Sequence, residues 1–171
     1  MKTLKVLAVI GLSALSAACN PNKANTENTF CVANLGPEDT ELMLEAANEW
    51  HERTDGEVNF HFVTGDCSGY DRIINKDLSD QNKYGNTFFS PIQPTEIQVD
   101  NAVIAQHTEF DYSTMYRAVV MHEMGHFLMT HHFGFSWHSS VTGDIMKVGH
   151  YNDGVFHLSD NDIANFHKAQ E

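Results

Sequence analysis

His122-Glu123-Met124-Gly125-His126 decides the reading of this chain. Positions i and i+4 share one face of a helix, so His122 and His126 can offer two imidazoles to a single metal ion. Glu123 then sits beside that ion, where its carboxylate can take a proton from a metal-bound water. Tyr116, Val119, Val120 and Phe127 supply apolar packing around this stretch, which predicts a helix from about Ser113 to Met129.

Two His leave a tetrahedral zinc short of one protein ligand, with the fourth position kept for water. His132 follows ten residues after His122, the spacing of HExxHxxGxxH, and is the expected third ligand. In that pattern the helix stops after the second His, and a left-handed Gly makes the turn. Here Met129 stands at the Gly position, where a left-handed backbone is costly, so the turn must be built differently. His131 is the first alternative ligand, and His138, Asp144 and His150 also lie within reach in the following loop. An acidic third ligand such as Asp144 would keep the enzyme and change its clan.

The chain opens with Lys2 and Lys5, an apolar run from Val6 to Ala18, and then Cys19. This is the layout of an export signal, residues 1–18, and the run is too short for a membrane-spanning helix of about 20 residues. Leu15-Ser16-Ala17-Ala18-Cys19 resembles a bacterial lipobox, with Ser16 where Leu is usual. By that resemblance Cys19 carries a lipid, and Asn20 after it directs the protein to an outer membrane. Plain cleavage, giving a periplasmic or secreted protein, is the alternative. Residues 19–36 read as tether and domain start, with polar Asn20 to Thr29 as the tether, and residues 37–171 read as one catalytic domain.

The formal charge is −13, and losing Lys2 and Lys5 makes it two units more negative. No basic cluster remains to hold nucleic acid. With Cys19 lipidated, Cys31 and Cys67 remain, and an exported protein most simply joins such a pair as a disulfide. The rival role is a Cys31 thiolate that caps the metal and keeps the enzyme latent. The surroundings, Phe30-Cys31-Val32-Ala33-Asn34, do not fit such a switch.

Pro37 to about Arg53 reads as a helix, with acids in its first turn and a stripe of Leu42, Met43, Ala46 and Trp50. Val58, Phe60 and Phe62 alternate with polar residues, as in a strand with one buried face. Residues 72–84 are ambiguous. Asn86 to Phe89 reads as an edge strand beside Pro91 and Pro94. Glu96 to Val99 and Val103-Ile104 read as extended, residues 133–157 as loop, and Ser159 as the cap of a last helix.

With these pieces in order, the chain resembles the metzincin metallopeptidases, and specifically their matrixin-like branch. Beyond the zinc helix, Gly143-Asp144-Ile145-Met146 resembles the Met-turn, in which Met146 would lie beneath the ligands. Leu158 to Ile163 resembles the start of the last helix, and Ala46 to Trp50 with Val58 to Phe60 the first helix and strand. Gly85 to Pro91, with Ile97 to Asp100, resembles the edge strand and its neighbour. Only the zinc helix is specific by itself.

The resemblance implies an α+β zincin-type domain: a twisted mixed sheet, an active-site helix and a small C-terminal subdomain. It implies zinc, a peptide laid along the edge strand near Phe88 and Phe89, and Glu123 as general base. It also allows a structural calcium or second zinc using Asp66, His61 or His107. Tyr151 reads as an ordinary packed side chain. The function expected is zinc endopeptidase, on a lipid anchor in the bacterial envelope. The alternative is an inactive envelope lipoprotein that binds zinc or a partner on the same scaffold. Nothing in the sequence sets the oligomeric state, the natural substrate or the cleavage preference.

Overall fold

A computed structural model describes residues 26–171 except 82, 91, 135 and 136; of residues 26, 27, 131 and 132 it describes the backbone alone. The expected export signal, Cys19 with its expected lipid and the first part of the expected tether lie outside the described residues. Thr26–Ala33 forms strand β1 and enters the sheet, so Thr26 to Thr29, expected in the tether, are strand. Its polar start hides its role: among its described side chains Phe30 is the first to be fully buried.

Helix α1 (Pro37–Arg53) follows, then β2 (Val58–Val63), β3 (Asp71–Asn75), β4 (Gly85–Phe88) and β5 (Glu96–Val99). The sheet order is β2-β1-β3-β5-β4, and β4 alone runs antiparallel, against β5. Strand β3 resolves the ambiguous 72–84 segment: Ile73 is fully buried between β1 and β5, and only the remainder is loop and a short turn of helix. With β5 on one side, β4 has no strand on its other edge among the described residues.

Val103-Ile104 is helical, in α2 (Asn101–Gln106), where the sequence suggests extended chain. Asp100 is the reason: its carboxylate accepts the Val103 N–H at 3.0 Å and starts a helix there. Asp111 does the same for α3 (Tyr112–Phe133), accepting from the Thr114 N–H at 2.9 Å. Helix α3 runs four residues past the expected Met129, to a stop at Gly134. Met129 itself is helical and buried, so the turn that would bring His132 back is not made there. Residues 139 to 158 are largely loop with one short 3-10 turn, and α4 (Asp160–Ala169) closes the chain.

Between α1 and α3 lies the core that holds α3 in place. Trp50 is fully buried and donates its indole N–H to the Met121 carbonyl at 3.0 Å, one residue before His122. Phe30 of β1 meets Phe127 of α3 edge-on, with centroids 4.8 Å apart. Cys31 is fully buried and joined to Cys67 as a disulfide, so it is no metal-capping thiolate. The bond ties β1 to the loop before β3.

Candidate metal centre

Helix α3 brings His122 and His126 to one face, with ring centroids 4.8 Å apart. The third imidazole beside them is His138, from the loop after the helix. Its ring centroid lies 5.3 Å from that of His122 and 4.7 Å from that of His126. One nitrogen from each of the three falls within 4.8 Å of the others. Three imidazoles and an open side are the donor set that zinc takes in hydrolytic sites, so these residues fit the ion.

The backbone of His132 lies in the last turn of α3, six residues and about 9 Å along the axis from His126. Its side chain, and that of His131, fall outside the described residues. Asp144 has another task. It is 1% exposed, and its oxygens accept Ser139 Oγ, Ser159 Oγ at 2.7 Å and Asn161 Nδ2 at 2.6 Å. The Ser139 bond, with Ser139 N–H to the Met146 carbonyl at 3.0 Å, fixes the residue next to His138. Asp144 therefore sets the loop that presents the third imidazole. His150 stacks on His122 at 5.4 Å and turns Nδ1 to the Val155 carbonyl at 2.7 Å.

Burial pushes the pKa of His122 well below its ordinary value and that of His126 to about 4. Both rings stay neutral at physiological pH, with a lone pair to give a metal. His122 Nδ1 lies 2.6 Å from the Ile145 carbonyl, which leaves Nε2 for the ion. Ile145 is held in turn by Asp162, whose carboxylate accepts the Ile145 N–H at 2.8 Å and the Met146 N–H at 3.2 Å. Met146 packs against the helix between the two His. A Cβ at Gly125 would come 2.2 Å from its sulfur, so only Gly permits that approach.

Glu123 is 6% exposed, and burial raises its pKa to about 7. Thr87 Oγ of β4 lies 2.8 Å from Glu123 Oε2 and 2.9 Å from the Glu123 carbonyl oxygen. The strand can come this near because Gly85 has no side chain: a Cβ there would meet Glu123 Cγ at 2.8 Å and Val119 Cγ1 at 2.7 Å. Nothing local in the sequence marks the Thr87 contact. His122, Glu123, His126 and His138 share one cleft of about 320 Å³, rimmed by Lys83, Tyr84, Val148 and Tyr151.

The described residues gather no second group of three potential ligands. Asp66 instead accepts the Ser68 N–H at 3.0 Å, and His107 stacks on Phe110.

No family model matches the sequence, and no curated protein matches it. Among solved structures, the chain is similar to the crystal structure of archaemetzincin (amzA) from Methanopyrus kandleri. The identity is 10%, the TM-score 0.52, and the match covers 88% of this chain and 98% of that one. The chain therefore has a metzincin-like α+β fold.

Proposed function

We propose that the protein is a zinc-dependent endopeptidase. Its ligands are His122, His126 and His138, the last in place of His132, and Glu123 is its general base. One observation carries this: the three imidazoles meet beside a buried carboxylate, in a cleft bordered by the open strand β4. When bound, zinc supplies a Lewis acid that polarises a peptide carbonyl and acidifies a water.

The chain's own residues do the rest. β4 offers unpaired backbone groups to an extended peptide, which fixes the scissile bond near Thr87. Thr87 orients the Glu123 carboxylate. Glu123 takes the proton from the attacking water and passes it to the leaving nitrogen. Met146, beneath His122 and His126, serves as the floor of the site. The matrixin-like assignment rests on the sequence resemblance, while the structural likeness supports the broader metzincin-like scaffold.

An export signal ending at Ala18, a lipid on Cys19 and an outer-membrane location complete the proposal. The Cys31–Cys67 disulfide supports an oxidising compartment. Zinc-loaded protein is expected to cleave members of a mixed peptide library, and Glu123→Ala to cleave none while keeping its zinc. Equal cleavage by the variant would remove Glu123 from its role. No cleavage by zinc-loaded wild type would favour the zinc-binding lipoprotein instead.

A further inference from the structure

Lys83 is the one cation among the described residues that line the metal cleft, and Glu123 is the one carboxylate. In a chain with ten Lys and Arg against 23 Asp and Glu, a cation has carboxylate partners in abundance. Lys83 takes none: among the described residues it makes no ion pair, and its ammonium bonds to a neutral amide, Asn86 Oδ1, at 2.9 Å.

That amide is itself held. Asn86 Nδ2 donates to Gln98 Oε1 at 3.2 Å, and Gln98 Nε2 donates to Glu96 Oε2 at 2.8 Å, along paired positions of β4 and β5. Gln98 is buried, so the relay is anchored in the sheet and turns the Asn86 oxygen toward Lys83. An ammonium has three donors, and the relay occupies one. The result is a positioned charge with no ion-pair partner among the described residues, at the rim of the cleft. It lies near enough to Glu123 and His126 to favour the charged carboxylate and the neutral imidazole.

From this arrangement we infer that Lys83 reads a carboxylate on the substrate, at the second or third residue beyond the scissile bond. The placement follows from the strand. Thr87 touches Glu123, and Lys83 precedes it by four residues, about 13 Å of extended chain, part of which the lysine side chain spans. A peptide on the open edge of β4 pairs best antiparallel, so its C-terminal side runs toward Lys83. The carboxylate can belong to an Asp or Glu side chain or to the end of the peptide.

This inference rests on the zinc-peptidase reading of the cleft, and binding separates the two. The probes are three peptide hydroxamates: Leu-Glu-Glu amide, Leu-Gln-Gln amide, and Leu-Gln-Gln with a free C-terminal carboxylate. Calorimetry on zinc-loaded protein gives a Kd for each. Wild type is expected to favour one or both carboxylate forms over the neutral amide by about two- to fivefold at low salt, the range of a rim charge pair, and less at high salt. In Lys83→Ala the ratio should fall to about one, and in Lys83→Glu it should invert.

Preference for the Glu form assigns an acidic side chain, and preference for the free-end form assigns the chain terminus. Equal binding of all three, no binding of any, or a preference that survives in both variants overturns the role of Lys83. If the hydroxamates bind with the expected preference but the protein cleaves no peptide, the peptidase reading fails and the carboxylate reading stands.

Discussion

Asp162 accepts the backbone N–H of Ile145 at 2.8 Å, and through Ile145 it sets His122, 40 residues earlier in the chain. The Ile145 carbonyl meets His122 Nδ1, so one buried carboxylate on α4 orients an imidazole on α3. Asp162 also accepts from Met146 and Ser159, and its own N–H closes a capping box with the Ser159 hydroxyl.

Replacing Asp162 by Ala therefore strands two buried N–H groups and frees the His122 ring. The expected cost is roughly 2–4 kcal/mol of stability, with a 10- to 100-fold loss of zinc affinity. Chemical denaturation of the metal-free protein and competition with a zinc chelator measure the two effects separately. Unchanged zinc affinity would leave Asp162 with a purely structural role.

Gly125→Ala places a methyl group where the Met146 sulfur lies. It should destabilise the protein by roughly 1–3 kcal/mol. Met146→Ala opens that space, so the double variant should be more stable than the sum of the two single losses. Strict additivity in a double-mutant cycle would place the clash elsewhere.

Thr87→Val keeps the shape and removes the hydroxyl that reaches Glu123. On the proposed mechanism, kcat should fall about tenfold with KM little changed, since the lost contact orients the base and does not hold substrate. Steady-state kinetics on one cleaved peptide decides this. A change confined to KM would make Thr87 a substrate contact instead.

Asp111 caps α3, and hydrogen bonds from Ser113 and Thr114 lower its pKa to about 2. A carboxylate whose folded pKa lies below its unfolded value contributes stability above the unfolded value, near 3.8, and loses it as pH falls toward 2. Wild type should therefore lose stability relative to Asp111→Asn between about pH 4 and pH 2, and the difference should be flat above that window. A constant difference across the range would show that the cap does not depend on its charge. At neutral pH, Asp111→Ala should cost about 1 kcal/mol.

Much of this arrangement is readable from local pattern. The stripe on α1, the alternation in β2, the Ser159 cap and the His122–His126 pair each rest on spacing within one element. The end of α3 was readable too, by a different signal: no Gly or Pro lies between His126 and Gly134, so nothing breaks the helix at Met129. The HExxHxxGxxH spacing presumes a turn at Met129, and the helix continues through that position.

The arrival of His138 is another matter. It depends on Asp144 binding Ser139 and Ser159 across a loop, and on Asp162 binding the turn at Ile145 and Met146 that follows His138. Thr87 and Glu123 meet across 36 residues because Gly85 lets a strand approach a helix. No local periodicity encodes contacts of that kind. Strand β1 was hidden for a related reason, since its polar first half is paired by backbone to β2 and needs no apolar side chains to do so.

The most direct test of the account is the zinc content of His138→Ala beside that of His132→Ala, each purified, loaded with zinc and passed through a mild chelator. The account predicts that His132→Ala keeps one zinc per chain and His138→Ala loses it. Zinc retained by His138→Ala and lost by His132→Ala would contradict it, and would place the third ligand on the final turn of α3.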